Sequence, residues 1–198
     1  PAVLAGAVVA AMVYACGIYP VPHTALLLGL VALVRAAQDR SSRPLGALAL
    51  TGAFAGAFAA PKLLPVLDTM RRFPRHVDST ETMTLAHAFE MLTGRVSDYQ
   101  HQPEGLARLA YGWREWGTYV GVAGLVVLAL GAFAPGARRA WPLRGAGLSL
   151  ASLAFGAFAP WAPWALLHQV PPFRSQHVPS RFLEPAILAL ALAFVATA

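Results

Sequence analysis

The stretch DTMRRFPRHVDSTETMTLAHAFEMLTGRVSDYQHQPEGLARLAYGWREW, from Asp68 to Trp116, decides the fold of this chain. It holds seven acidic and six basic residues, so six minus seven gives a formal charge of −1. On both sides the sequence is mainly Ala, Leu, Val and Gly with few ionisable groups, which is typical of segments buried in lipid. We therefore expect residues 68–116 to form a polar extracytoplasmic loop between membrane-spanning helices.

The composition of the whole chain agrees with this interpretation. Hydrophobic residues make up 57% of the sequence and charged residues 12%, whereas soluble domains carry about 25% charged residues. The 198 residues have room for about six spans of about 20 residues each, besides the loop. We predict an all-α fold, a polytopic transmembrane helical bundle of about six spans, with residues 1–198 as a single transmembrane domain. Because the chain starts at Pro1 and stops inside an apolar run, we interpret it as a fragment lacking an N-terminal part.

The formal net charge of +6 does not indicate nucleic-acid binding. The basic residues are scattered at the edges of loops, without a dense run or interleaved aromatic residues, as charges flanking a membrane are. The single cysteine, Cys16, lies in an apolar run and cannot form an intrachain disulfide. A lone cysteine in such a run is usually a packing residue.

Prolines and charges divide the apolar sequence into six predicted spans. Their approximate ranges are 2–17, 24–36, 44–64, 117–134, 145–167 and a last one from about 182. The third is expected to end at the PKLLP sequence from Pro61 to Pro65, and the fifth to be kinked at the PWAPW sequence from Pro160 to Trp164. The third also contains small residues that allow close approach of helices, and these are Gly46, Gly52 and Gly56.

Two basic turns orient the predicted bundle. Arg35, Arg40 and Arg43 flank the first, and the second contains Arg138, Arg139 and Arg144. Because lysine and arginine are enriched in cytoplasmic loops, both turns are expected on the cytoplasmic side and residues 68–116 on the outer side.

The polar loop is predicted to contain short surface helices. Asp78 and Glu81 have the spacing of a capping box, apolar residues recur at helical intervals, and Gly94 follows as a stop signal. We predict a helix over residues 81–93 that lies on the membrane with its apolar residues facing lipid, namely Leu85, Phe89 and Leu92. A second short helix is expected over residues 104–111.

Five sequence features carry a resemblance to a known family. They are YPVPH (19–23), PKLLPVL (61–67), WGTYVGVAGLVVLAL (116–130), ARRAWPLR (137–144) and PPFRSQHVPSRF (171–182). In this order they resemble the bacterial YfhO-type multi-pass membrane proteins, a family of the GT-C glycosyltransferase superfamily. The resemblance covers nearly all of the chain and lies in the pattern and order of its elements.

The resemblance implies a membrane enzyme. Similar proteins are thought to transfer a sugar from a polyprenyl-phosphate donor to a cell-envelope glycan or lipid acceptor, outside the bacterial cytoplasmic membrane. Their catalytic acid usually follows the first span, so we expect it upstream of Pro1 and do not assign it here. Weak candidates within the chain are Glu115 and Asp98. No cofactor is assigned, although a divalent cation stays open.

Four cationic residues are candidates for binding the lipid phosphate, namely Lys62, Arg174, His177 and Arg181. The last three lie in an outer loop, residues 168–181, that contains no acid. Arginine offers a planar fork that suits phosphate oxygens. The alternative for Lys62 is a lysine at the end of a span whose ammonium group extends to the membrane surface. The alternative for the other three is a loop that only contacts lipid headgroups.

Other outer-face candidates are weaker, namely His23, His101 and Trp113. Asp98 and His101 are three residues apart, but no third ligand accompanies them, so no metal site is assigned. Glu115 lies between two tryptophans at the expected membrane edge, where a carboxylate tends to need a partner. The alternative function is a non-catalytic transporter or scaffold subunit of an envelope-assembly complex. The scarcity of ionisable groups within the spans disfavours transport.

Overall fold

The fold is described by a computed structural model at residues 1–17, 19–74, 77–94, 118–136 and 138–197. These residues form α-helices, short 3₁₀ turns and irregular segments, with one isolated antiparallel bridge. The prediction of an all-α fold is confirmed. Packing divides the chain into two compact units, Pro1–His76 and Val77–Ala198, each of which has its own core.

The first unit contains three helices, α1 (Ala2–Tyr14), α2 (Pro20–Asp39) and α3 (Arg43–Arg72). The prolines at 20 and 22 lie in the first turn of α2, where a missing backbone N–H costs nothing because that group has no helical partner. The expected break between the first two helices is therefore present, but α2 begins four residues earlier than the predicted Thr24.

Small residues bring α1 and α3 close together. A Cβ atom added at Gly6 would lie 2.6 Å from the Cβ of Phe54 and 2.9 Å from the backbone nitrogen of Ala55. By contrast, the three glycines that we expected to mediate helix packing have nothing within 4 Å of an added Cβ, and these are Gly46, Gly52 and Gly56. That prediction was wrong, because none of the three glycines faces another helix. The close contact between α1 and α3 is made by Gly6 on α1, which lies against Phe54 and Ala55 of α3.

Helix α3 is longer than the predicted third span. It continues through Pro61 and Pro65 to Arg72, so the expected end at PKLLP was wrong and residues 68–72 belong to the helix. Internal prolines each remove one backbone donor, and apolar membrane helices tolerate them when neighbouring groups compensate. At 30 residues the helix is about 45 Å long, compared with a hydrocarbon core of about 30 Å.

The second unit contains five helices among its described residues. They are α4 (Leu85–Thr93), α5 (Gly121–Phe133), α6 (Trp141–Ala154), α7 (Pro163–Leu167) and α8 (Leu183–Thr197). Helix α8 packs against α5 and α6, where glycines leave room for Leu190. An added Cβ at Gly131 would collide with the carbonyl oxygen of Leu190, and one at Gly147 would lie 2.8 Å from its side chain. Helix α8 begins at Leu183, as expected for the last predicted span, which was to start at about residue 182.

The predicted fifth span is not one kinked helix. Helix α6 ends at Ala154, and Gly156 follows with a φ of +76°, which is accessible to glycine and disfavoured for other residues. The helical path therefore ends before the PWAPW sequence, and α7 is a separate five-residue helix. Backbone conformation at Gly156, rather than proline, causes the break.

Helix α4 confirms part of the predicted surface helix. It starts at Leu85, not at residue 81, and Thr84 caps it, with His87 completing a capping box. The predicted pair Asp78 and Glu81 has no such role, because the chain before Thr84 is held by backbone hydrogen bonds to residues 155–157.

Three described helices are long and apolar enough to cross a membrane, or four if α5 and the Arg138–Ala154 helices are counted as one broken span. About six spans are therefore not confirmed. In the windows of α2 and α3 only 11% of residues are buried within the protein, so most of their apolar side chains face outwards. Burying such surface in lipid is favourable, whereas exposing it to water is not.

Two arginines of the second basic turn cap helices. Arg144, which is 5% exposed, donates from Nε to the carbonyl oxygen of Gly131 at 2.8 Å, in the last turn of α5. Arg139 donates in the same way to Ala196 in the last turn of α8, also at 2.8 Å. Carbonyl groups at the end of a helix lack helical partners and attract positive charge. These side chains therefore stabilise the helix ends.

Candidate functional site

The acid-free loop of residues 168–181, here called the arginine loop, lies in the second unit between α7 and α8. It contains two 3₁₀ turns, Phe173–Ser175 and Pro179–Phe182. The second turn extends one residue beyond the end of the loop. Such turns keep the backbone compact without a regular helix. The loop is therefore an ordered part of the unit.

An aromatic cluster supports the arginine loop from inside the unit. Trp164 is fully buried, and its ring centroid lies 5.0 Å from that of His168 and 5.6 Å from that of Phe182. Phe173 packs on Phe182 with ring centroids 6.2 Å apart. These separations lie in the range in which aromatic pairs attract each other. Both ends of the loop are thus attached to one apolar base.

Three backbone carbonyl groups of the arginine loop accept hydrogen bonds that hold it in place. Two of the donors lie outside the loop, and the third is the side chain of its first residue, His168. The backbone N–H of Val77 donates to Arg174 at 3.3 Å, and His168 Nε2 donates to Gln176 at 2.9 Å. The hydroxyl of Ser79 donates to the carbonyl oxygen of His177 at 3.2 Å. Since each bond fixes a different peptide, the backbone between residues 174 and 177 is held in one conformation.

Residues 77–84, here called the covering segment, run beside the arginine loop and then along the end of α6. The segment pairs with residues after α6 through Met83 N–H to the carbonyl oxygen of Phe155 at 3.1 Å, and through Ala157 N–H to that of Glu81 at 3.0 Å. Gly156 lies under Glu81, and an added Cβ there would collide with the Glu81 carbonyl oxygen. Only glycine fits this contact.

Arg174 is the most accessible cation of the loop. Its side chain is exposed, and Nε donates to the carbonyl oxygen of Gln169 at 2.5 Å. Among the described residues, no carboxylate forms an ion pair with the two Nη groups of Arg174. An exposed guanidinium that is held at Nε keeps its Nη groups as donors, and a guanidinium can bind an anion through two parallel bonds.

The other two loop candidates are less accessible. His177 and Arg181 are half-buried, the latter on the second 3₁₀ turn. The structure therefore places the three predicted cations on one ordered loop, with Arg174 as the one that is most available to a ligand.

Lys62 belongs to the first unit and has a structural partner. Its Nζ donates to the carbonyl oxygen of Tyr14 at 2.8 Å and lies 3.1 Å from Cys16 Sγ. Tyr14 is the last residue of α1, so the ammonium group stabilises the carbonyl end of that helix. The ammonium has a third donor, which leaves the predicted phosphate contact open. Cys16, expected as a packing residue, is exposed and has a φ of +61°.

His23 also differs from its prediction. It was expected in a proline-rich outer turn, but it lies in α2 and is 3% exposed. Its ring packs edge-on against Tyr19, with centroids 5.9 Å apart. The prolines start the helix here and do not make a turn, so this histidine is a core residue of the first unit.

The remaining candidates lie outside the described residues, namely Asp98, His101, Trp113 and Glu115. The predicted second loop helix at 104–111 lies there as well. Among the residues that are described, no three His, Cys, Asp or Glu side chains are placed to hold a metal ion.

An apolar groove of about 620 Å³ opens beside the covering segment. Its walls are the C-terminal end of α6, the start of α4 and the aromatic turn after α6, where Phe158 and Trp161 pack edge-on with ring centroids 5.4 Å apart. Trp161 and Leu85 are 71% and 78% exposed. The polar lining residue Ser152 donates its hydroxyl to the Ser149 carbonyl oxygen, so the groove suits a hydrocarbon chain.

Sequence reasoning missed the residues that support the site. Ser79 was an unremarked residue of the polar loop, and Trp164 was noted only as part of the PWAPW sequence. Gln176, which is 1% exposed, had no apolar pattern to indicate burial. The one available signal was the tryptophan between prolines, since a large aromatic residue with an N–H group needs both a pocket and an acceptor.

No protein-family model, curated protein or solved structure matches the chain.

Proposed function

We propose that this chain is part of a bacterial membrane glycosyltransferase of the GT-C type, located in the cytoplasmic membrane. The enzyme transfers a sugar from a polyprenyl-phosphate donor to a glycan or lipid acceptor of the cell envelope. The proposal combines the resemblance in element order with the arrangement of the arginine loop. The catalytic acid is expected outside the described residues.

One observation carries the proposal, namely the exposed side chain of Arg174 on a backbone that is hydrogen-bonded from inside the unit. The loop contains no acid to neutralise it, and its peptides are held at three carbonyl groups. A preformed cation of this kind binds a phosphate without a large cost of ordering. Half-buried Arg181 adds a second positive charge to the same loop, and half-buried His177 adds an imidazole.

The apolar groove supports a donor that is a lipid. The covering segment borders the arginine loop at Val77 and the groove at Met83. The arginine loop and the groove therefore adjoin the same segment. The proposal assigns the groove to the isoprenoid chain, whose transfer from water into an apolar groove is favourable at about 25 cal/mol per Å².

The second candidate function is a scaffold subunit of an envelope-assembly complex. The exposed apolar groove favours it, since a partner helix can also bind there. A scaffold does not need an ordered, unpaired cation on the loop, so the enzyme is the better account of Arg174.

The test is donor-dependent sugar transfer by the full-length protein in membranes, with variants compared at matched levels. Replacing Arg174 or Arg181 with Ala removes a charge-assisted contact of about 1.5 to 3 kcal/mol. Donor binding should weaken by about tenfold to a hundredfold for each. Arg174→Lys should recover part of the loss if charge dominates, and little if the planar fork is needed.

Arg71→Ala is the matched control, because Arg71 is an exposed arginine at the end of α3 in the other unit. It should leave transfer unchanged. Transfer at the wild-type rate by the double variant of Arg174 and Arg181 would contradict the phosphate site. Absence of transfer by the full-length wild-type protein with a range of polyprenyl-phosphate sugars would contradict the enzyme and favour the scaffold.

A further inference from the structure

The hydroxyl of Ser79 lies between a fully buried tryptophan and the backbone of the arginine loop. Trp164 Nε1 donates to Ser79 Oγ at 2.9 Å, and Ser79 Oγ lies 3.2 Å from the carbonyl oxygen of His177. The indole nitrogen can only donate and the carbonyl oxygen can only accept. The hydroxyl proton is therefore directed to the loop, and its orientation is set by Trp164.

We infer that Ser79 is a positioning residue of the lipid-phosphate site, because its hydroxyl fixes the arginine loop in the conformation that presents Arg174 to the donor. This inference rests on the proposed function. It concerns a residue that does not touch the donor itself and that acts through the loop.

The place of Ser79 on the covering segment explains why it matters for Arg174. The carbonyl oxygen of Arg174 is held by the backbone of Val77, two residues before Ser79. The hydroxyl holds the carbonyl oxygen of His177, three residues after Arg174. The covering segment thus holds the loop at Arg174, within the short 3₁₀ turn, and again at His177, two residues after the turn ends. Of these two contacts, only the one from the Ser79 hydroxyl can be removed by a side-chain substitution.

The chemistry of the bridge defines two informative substitutions. Threonine keeps a hydroxyl that can accept and donate, whereas alanine removes both bonds and leaves the Trp164 N–H without its acceptor. Packing of Trp164 on Phe182 and His168 does not involve Ser79. A change at Ser79 therefore alters the attachment of the loop more than the aromatic base beneath it.

The experiment measures binding of farnesyl phosphate, a short prenyl phosphate, to the purified protein in lipid nanodiscs. Of the two bonds that alanine removes, only the bond to the His177 carbonyl oxygen holds the loop. Loss of that neutral hydrogen bond, of about 0.5 to 1.5 kcal/mol, corresponds to about twofold to tenfold in affinity. Ser79→Ala should weaken binding by that factor and Ser79→Thr should restore it. Thr80→Ala is the matched control, since Thr80 is the exposed neighbour on the same segment, and it should bind like the wild type.

A double-mutant cycle separates positioning from general stability. If Ser79 acts through Arg174, Ser79→Ala should have no further effect on affinity in protein that already carries Arg174→Ala. In the transfer assay, Ser79→Ala should raise the KM for the donor and leave kcat unchanged. Hydrogen exchange of the amides of residues 174–178 should rise in Ser79→Ala and not in Ser79→Thr.

The outcomes distinguish the inference from the proposed function. Wild-type affinity in Ser79→Ala, or equal losses with and without Arg174, would overturn the positioning role and leave the enzyme intact. Farnesyl phosphate binding that follows the expected cycle, without any sugar transfer, would support the positioning role and overturn the enzyme. No binding of farnesyl phosphate by the wild type would overturn both.

Discussion

At the scale of single residues, neighbours decide what a side chain does. Lys62 and Arg174 are both cations near apolar sequence, yet the first is bonded to the end of α1 and the second is an exposed side chain bonded within its own loop. Glycines show the same dependence. Gly46 has open space around it, whereas Gly156 has a φ of +76° and a carbonyl group directly beneath it. Residue type alone does not separate these cases, because the difference lies in contacts between distant parts of the chain.

Gly156→Ala is expected to destabilise the second unit by about 1 to 3 kcal/mol, which is the cost of a non-glycine residue in a left-handed conformation. The collision of the new Cβ with the Glu81 carbonyl group adds to this cost. Thermal unfolding of the purified protein in detergent should show a lower midpoint. Gly46→Ala is the control and should unfold at or above the wild-type temperature, because alanine is favoured over glycine within a helix. Equal midpoints for the two variants would show that Gly156 is not held in this conformation.

At the scale of elements, local signals predicted most of the described helices but not α7, and tertiary contacts set the ends of several of them. Gly94 follows α4 as predicted, but the helix starts at Leu85 because the preceding residues pair with the backbone after α6. Helix α4 buries Met91 and Ala88, and exposes Leu85 and Phe89 at 78% and 60%. A helix with this outer face is suited to lie at the surface of a bilayer.

A nitroxide label at Phe89→Cys, in protein with Cys16→Ser, should therefore be accessible to oxygen and protected from a water-soluble nickel relaxant in liposomes. A label at Thr80→Cys, on the exposed polar part of the covering segment, should show the opposite preference. The measurement is power-saturation electron paramagnetic resonance. Full accessibility of the Phe89 label to nickel would place this face in water and contradict the prediction.

At the scale of the whole molecule, the positive-inside pattern predicts an orientation. The turns around Arg40 and Arg139 are expected in the cytoplasm, and the polar loop outside. In cells with Cys16→Ser, an impermeant thiol reagent should label Thr80→Cys and should label Ser42→Cys only after the membrane is opened. Both positions are exposed on the protein, so access to the reagent depends on the side of the membrane. Labelling of Ser42→Cys alone in intact cells would reverse the orientation.

The sequence by itself determined the all-helical class, the apolar character of the helices, the end of α4 and the location of the cationic loop. These follow from composition, from local spacing and from stop residues, all of which act over a few positions along the chain. Tertiary structure alone decided that α3 continues through two prolines, that α6 ends at Ala154, and that Ser79 and Trp164 support the arginine loop. The hydroxyl and the indole are 85 residues apart, and a contact between such distant positions leaves no periodic trace in either segment.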